Sequence, residues 1–145
     1  MSRTVDNFLE TAQKVDLPYL INLSLIDSEE EYVRIQQEQL AKGQREDGKP
    51  IFNVKSGSTQ YSLGYAKKKG KSSPIDLHDT GAFYGGIFIH VEAADTFVTD
   101  SADDKSGKLQ ENYSPEIFGL NDESNIEFIP IATDNLIKEF ETVLK

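Results

Sequence analysis

Apolar residues recur at helical spacing near the start of the chain. The first stripe consists of Val5, Phe8, Leu9, Ala12 and Val15, and it predicts an amphipathic helix over residues 4–16 that Pro18 ends or redirects. An apolar run over residues 20–26 leads to a second predicted helix over residues 29–42. Ser28 and Glu31 have the spacing of a capping box at its start, and Gly43 is its stop.

The second predicted helix has one apolar stripe and a polar face rich in glutamine. Val33, Gln36 and Leu40 share one side of the helix. We interpret the helix as a solvated surface element with a single buried stripe, because charged and polar residues outnumber apolar ones.

The strongest β pattern covers residues 82–99. In a strand over residues 82–91, successive side chains would alternate between two faces. One face would carry Phe83, Ile87, Ile89 and Val91, and the other would carry Tyr84, Phe88 and His90. This alternation predicts a strand that is buried on one face and semi-apolar on the other, relaxed or bulged at Gly85 and Gly86. Residues 92–95 then turn the chain into a second strand over residues 96–99, which gives an antiparallel hairpin.

The C-terminal third predicts further short elements. A polar helix over residues 100–113 carries Leu109 and Tyr113 on one side, residues 117–120 form an apolar segment that docks on the sheet, and residues 126–129 form a brief strand. Thr133 or Asp134 caps a final helix whose stripe consists of Leu136, Phe140, Val143 and Leu144. The predicted fold is α+β, with a small antiparallel sheet centred on the 82–99 hairpin and packed against N-terminal, middle and C-terminal helices.

Composition indicates one folded domain over residues 1–145 with a long loop at about residues 44–58. The chain has 145 residues, 37% of them hydrophobic, and the Asp47-Gly48 pair favours a tight turn inside the loop. It has no cysteine, which excludes disulfides and thiolate metal sites. No apolar run reaches the length of a signal peptide core or a membrane span, so we expect a soluble protein made in the cytoplasm, with no membrane partner.

The net charge of -10 is unevenly distributed. Residues 65–80 carry four lysines and two aspartates, a sum of +2, whereas residues 81–145 carry four basic and thirteen acidic residues, a sum of -9. The only basic segment contains Lys67, Lys68, Lys69 and Lys71. We therefore do not expect nucleic acid to be the main partner, although the acidic surface is able to select a basic partner surface.

The basic segment follows a predicted short helix over residues 59–69. Tyr61 and Tyr65 are four residues apart and share one side of it. Lysines at the C-terminal end of a helix interact favourably with its dipole, which is one explanation of the run, and a contact surface for a partner is the other.

Candidate catalytic groups are few. His78 and Asp79 are adjacent, which seldom allows a base and its orienting carboxylate to face each other, and His90 lies inside a strand. Asp100, Asp103 and Asp104 lack the spacing of a calcium loop and are interpreted as helix-capping charge. The sequence predicts no enzyme activity, no cofactor and no metal site.

The order of these weak signals resembles the tail-completion and virion-morphogenesis proteins of tailed bacteriophages. The resemblance rests on Asp47-Gly48, Tyr61, Tyr65, the lysines of residues 67–71 and the Leu-x-x-Thr-Gly pattern that ends at Gly81, and it extends to Tyr113 and residues 117–119. It covers about half of the chain. A tryptophan that usually follows the Asp-Gly turn is absent, and Phe52 is the nearest aromatic residue.

The resemblance implies a structural virion protein that forms an oligomeric ring at the head-tail junction. Such a protein is a tail-completion, connector or neck component, for instance of a crAss-like phage, and its partners are copies of itself and other neck, portal or tail proteins. The candidate interface or lumen residues are Lys67, Lys68, Lys69, Lys71, Tyr61 and Tyr65, with packaged DNA as a further contact. The alternative is a small acidic monomeric or dimeric binding or inhibitor protein that targets a basic partner. A hydrolase using His78 or His90 ranks last.

Overall fold

The structure, a computed structural model, describes residue 10, residues 14–93 and residues 96–144. Its elements, in chain order, are α1 (Leu17–Asp27), α2 (Glu29–Ala41), α3 (Leu63–Lys69), α4 (Ala82–Gly85), β1 (Ile87–Ala93), β2 (Thr96–Ser101), α5 (Ser106–Tyr113), a 3-10 helix (Pro115–Ile117) and α6 (Asp122–Leu144). The predicted α+β class, with a hairpin packed against helices, is confirmed. The predicted helix over residues 4–16 lies outside the described residues, apart from residue 10 and residues 14–16.

The hairpin of β1 and β2 is antiparallel, with an irregularity between Val91 and Ala93. Ile87 and Ile89 are buried, whereas Phe88 and His90 are exposed, as the alternation predicts. The predicted strand over residues 82–86 is wrong. These residues form the single turn α4, in which Gly85 N–H donates to Gly81 C=O, and the strand begins after that turn.

Helix α2 lies between two clusters of buried side chains. Its C-terminal end contributes Leu40 to one cluster, whose other members are Ile51, Ile75, Leu77, Phe83, Ile87, Ile117 and Phe118. Its N-terminal half contributes Tyr32 and Ile35 to the second cluster, together with Leu25, Ile89, Leu120 and Phe128. Alternate residues of β1 enter both clusters, so one strand and one helix join the two halves of the core.

The solvated polar face predicted for α2 is only partly present. Gln36 and Gln39 are 0% and 2% exposed. Gln36 Oε1 accepts the N–H of Gly119 at 2.8 Å, while Gln39 donates to Gly119 C=O and accepts the N–H of Asn121, both at 2.8 Å. The two glutamines therefore bind the backbone of residues 119–121. Gln36 belongs to the stripe that was predicted to be buried, so the burial of Gln39 is what corrects the interpretation of the polar face.

The predicted capping box at the start of α2 is wrong. The Ser28 hydroxyl group donates to the Ser24 carbonyl oxygen at 2.6 Å instead of accepting an N–H of α2. Glu31 forms an ion pair with Arg34 at 3.2 Å. Because α1 and α2 follow each other directly, the last turn of α1 already engages the serine that would have capped α2.

Helix α6 is continuous where a strand and a separate helix were predicted. It runs from Asp122 to Leu144 and passes through Pro130, so the brief strand at residues 126–129 and the cap at Thr133 or Asp134 are both wrong. Asn121 begins the helix, since its side chain accepts the N–H of Ser124 at 2.9 Å. Phe128 is buried in the core, and α6 packs on α1 and α2. Within the part of the chain that the structure describes, no helix is long and apolar enough to cross a membrane.

Candidate functional site

The sequence-predicted residues converge on the segment around Asp76. Tyr61 OH donates to Asp76 Oδ1 at 3.1 Å and accepts the backbone N–H groups of Asp76 and Leu77 at 3.2 and 3.0 Å. On the other side, Tyr84 OH donates to Asp76 C=O at 2.6 Å. Two tyrosines from different parts of the chain therefore hold one short segment by its backbone.

Two of the four candidate lysines complete this arrangement, which we call the Asp76 clamp (Tyr61, Lys69, Lys71, Asp76 and Tyr84). Lys69 Nζ lies 3.1 Å from Asp76 Oδ1, and Lys71 Nζ lies 2.5 Å from Asp76 Oδ2. Lys69 also donates to the His78 carbonyl oxygen. The side chains of Lys69 and Asp76 are 12% and 10% exposed, so this pair belongs to the interior of the fold.

The clamp determines the protonation of its members. Burial alone would raise the pKa of the Asp76 carboxyl group, but the hydrogen bonds from Lys71, from the backbone N–H of His78 and from Lys69 outweigh that effect and lower it to about 2. Burial and the Asp76 charge raise the pKa of the Tyr61 and Tyr84 phenols above their usual range. At neutral pH the carboxylate is therefore ionised and both phenols keep their protons.

Tyr61 of the clamp, with Ile75 and Leu77 on either side of Asp76, lines an open groove of about 760 Å³. Its apolar floor and aromatic walls are lined by Tyr61, Tyr65, Ile75, Leu77, Phe83, Leu109 and Tyr113. The rings of Tyr61 and Tyr65 are 4.9 Å apart. The predicted helix over residues 59–69 is nevertheless wrong at its start, because α3 begins at Leu63 and Tyr61 precedes it. A groove of this size accommodates a drug-sized molecule or several side chains of another protein.

The rim of the groove is polar. It includes Asn53, Ser56, Ser58, Thr80, Asp103 and Asn112. Asp79 and Lys105 face each other on the rim at 3.5 Å, and both side chains are more than half exposed, so this ion pair adds little stability. Part of the rim comes from the predicted loop over residues 44–58, because Val54 N–H donates to Asn112 C=O at 2.9 Å.

The remaining candidate residues lie outside this arrangement. Lys67 and Lys68 are exposed in the last turn of α3, and neither makes a hydrogen bond or ion pair with a described residue. His78 is exposed and packs edge-on against the Tyr84 ring, with 4.8 Å between ring centroids. His90 is exposed on β1. The run is thus divided into two lysines that build the fold and two that face solvent.

The acidic cluster at residues 100–104 does not cap α5 as predicted. Lys105 precedes the helix, and no side chain accepts an N–H of its first turn. Instead Asp100 Oδ1 accepts the Ser106 hydroxyl group at 2.7 Å. Among residues 10, 14–93 and 96–144, no group of three or more histidine, aspartate or glutamate side chains is arranged to hold a metal ion.

Sequence reasoning missed Asp76, Tyr84 and the apolar floor of the groove. Asp76 carried a weak signal, since a carboxylate between Ile75 and Leu77 must be paired if both neighbours are buried. Tyr84 carried no comparable signal in the sequence. Its hydroxyl group contacts the Asp76 carbonyl oxygen only because residues 82–85 form the turn α4. No protein-family model, curated protein sequence or solved structure matches this chain, so its function has to be inferred from its own residues and their arrangement.

Proposed function

We propose that this chain is a structural subunit of a tailed-phage virion that assembles into an oligomeric ring at the head-tail junction. Support comes from the convergence of the motif residues on one structural unit. Tyr61, Lys69 and Lys71 hold the segment that leads into the Leu-x-x-Thr-Gly pattern. Tyr61 and the neighbours of Asp76, Ile75 and Leu77, line an open aromatic groove. Residues used in this way maintain the shape of a contact surface, which is what an assembly protein requires.

The same convergence favours a non-enzymatic role. The most strongly buried carboxylate beside the groove, Asp76, is held by two lysines, and the nearest phenol, Tyr61, has its hydroxyl group engaged by three hydrogen bonds. A general base or nucleophile needs a free lone pair directed at a substrate. We therefore assign the groove to binding through apolar and hydrogen-bonding contacts, without a cofactor.

A ring built from head-to-tail contacts needs two different surface patches on each subunit. One patch is the groove with the adjacent exposed lysines, Lys67 and Lys68. The other is the outer face of α6, where Ile126, Ile129 and Ile137 are 76%, 58% and 49% exposed. Exposed acidic residues accompany this apolar stripe, so the two patches differ in charge as well as in shape.

The proposal is tested in particles of the phage that encodes the chain. Electron cryo-microscopy of purified virions is expected to locate the chain as a ring between the capsid and the tail. The double variant Lys67→Glu/Lys68→Glu should reduce the number of particles with a completed neck. The matched control, Lys49→Glu/Lys108→Glu, changes the same charge at exposed positions outside α3 and should assemble normally.

The proposal is contradicted by a chain that is absent from virions and remains a stable monomer or dimer by light scattering, which would favour the acidic inhibitor instead. A ring that assembles equally well with both double variants would contradict only the assignment of Lys67 and Lys68 to the subunit contact. Loss of packaged DNA from otherwise complete particles would assign Lys67 and Lys68 to the lumen.

A further inference from the structure

The hydrogen-bonding pattern of the hairpin determines which backbone groups of β2 point away from β1. Ala102 N–H donates to Gly86 C=O at 2.9 Å, so this pair is hydrogen-bonded across the hairpin. Ile89 N–H donates to the Glu29 side chain at 2.9 Å, so it points away from β2. In an antiparallel ladder hydrogen-bonded and non-hydrogen-bonded pairs alternate, and the register pairs Ile89 with Thr99 and Val91 with Phe97.

The N–H and C=O groups of Phe97 and Thr99 therefore point away from β1, outward from the edge of β2. Among the described residues, no backbone or side-chain group bonds to them. The edge of β1 is different, because α2 covers it and Glu29 binds the N–H of Ile89. Unpaired backbone groups on an edge strand are the standard template for pairing with another chain.

A groove of about 480 Å³ runs beside this edge. Phe97, Val98 and Thr99 form one side, and Phe128 and Ile129 of α6 contribute to the other. The floor is made by Tyr32 and by residues 118–120. Val98 and Ile129 are 40% and 58% exposed, so apolar side chains at the rim of the groove are open to solvent.

We propose that the β2 edge and its groove bind an extended strand of another polypeptide by β-augmentation. The partner strand pairs with the N–H and C=O groups of Phe97 and Thr99, and alternate apolar side chains enter the groove. Glu46 lines the groove and is exposed, so a basic residue at one end of the partner strand matches the site. This surface is separate from the aromatic groove, and the inference does not depend on the virion role.

The test uses a synthetic hexapeptide of alternating valine and threonine with a lysine at each end. Amide hydrogen exchange of the ¹⁵N-labelled full chain is measured with and without the peptide. The amides of Phe97 and Thr99 should exchange rapidly in the free chain and at least about tenfold more slowly at saturating peptide. A peptide methylated at alternate backbone nitrogens cannot pair with the edge and should give no protection.

Two variants distinguish the edge from the rest of the hairpin. Val98→Lys places a charge on β2 beside the groove and should weaken binding of the unmethylated peptide at least about tenfold. Phe88→Lys places the same charge on β1 at a similarly exposed position, 37% against 40%, and should leave binding unchanged. The inference is overturned if both amides are already protected in the free chain, if they stay unprotected with peptide, or if the methylated peptide protects them equally.

Discussion

The Tyr61 hydroxyl group donates a hydrogen bond of 3.1 Å to the Asp76 carboxylate, although the lysine run separates the two residues in the sequence. The same oxygen accepts the backbone N–H of Leu77, a buried residue with φ of 59°. A leucine in the left-handed region is uncommon and costs free energy unless its surroundings hold it there. The phenol of Tyr61 is one of the groups that does so, which makes it the centre of the Asp76 clamp.

Replacing Tyr61 with phenylalanine should lower the free energy of unfolding by about 1–3 kcal/mol, because buried backbone N–H groups at Asp76 and Leu77 lose their acceptor. Tyr65→Phe is the matched control. Its ring contacts Tyr61, but its hydroxyl group bonds to no described residue, so the change should be within about 0.5 kcal/mol. Urea unfolding followed by circular dichroism measures both. Equal effects of the two variants would show that the hydroxyl bonds are not stabilising.

Acid should weaken the fold partly through Asp76. Its pKa is about 2 in the folded chain against an ordinary value of 3.8, so the fold favours the ionised form. The stabilisation is therefore complete above about pH 5 and is lost as the pH falls towards 2, with a total of about 2 kcal/mol. Asp76→Asn should be markedly less stable than the unaltered chain at pH 7, and the gap should close near pH 2.

The control for this pH effect is Asp104→Asn, an exposed carboxylate without a described partner. Its stability should run parallel to that of the unaltered chain across the whole range. Urea midpoints measured at intervals of half a pH unit separate the two behaviours. A gap for Asp76→Asn that stays constant down to pH 2 would mean that its carboxylate is not stabilised by Lys69 and Lys71.

Elements with local signals could be predicted from the sequence, and those that depend on distant contacts could not. Gly43 marks the end of α2 and the alternation at residues 87–91 marks β1, because both patterns act within a few residues. A strand over residues 126–129 and a helix starting at Thr133 or Asp134 were predicted, whereas one helix passes through Pro130, which lacks the N–H that would bond to the carbonyl group four residues earlier. The helix continues because Phe128 is buried against α1 and α2, a contact that no local pattern contains.

The candidate site divides in the same way. The spacing of Tyr61 and Tyr65 predicted that they share one side of a helix. Their rings do meet, but α3 contains only Tyr65. The sequence could not show which lysines of the run are structural and which face solvent. Lys68 and Lys69 are the same residue type and differ only in the direction in which they point from α3. Lys69 reaches the buried Asp76, whereas Lys68 faces solvent. Burial of the partner decides which lysine becomes structural.

The buried hydrogen bonds of the α2 glutamines should contribute more to the free energy of unfolding than the exposed charged side chains of the same helix. Gln39→Ala removes the donor to Gly119 C=O and the acceptor for Asn121 N–H, both in the interior. We expect a loss of about 2–4 kcal/mol in the free energy of unfolding, because unsatisfied buried groups cost about 1–3 kcal/mol each. Glu38→Ala, one position earlier and 53% exposed, should cost less than about 1 kcal/mol. Similar urea midpoints for the two variants would contradict the assigned role.

Alanine substitutions at two glycines with left-handed backbone distinguish the cost of conformational strain from the cost of steric overlap. Gly43 and Gly48 have φ of 71° and 81°, so alanine is strained at either position. A Cβ at Gly48 meets nothing within 4 Å, and Gly48→Ala should cost only about 1 kcal/mol. A Cβ at Gly43 would overlap the Cβ of Pro74, which precedes the Asp76 clamp, so Gly43→Ala should cost at least about 3 kcal/mol. Thermal unfolding compares the variants directly, and an equal loss at both positions would mean that Gly43, just beyond α2, does not pack closely on Pro74.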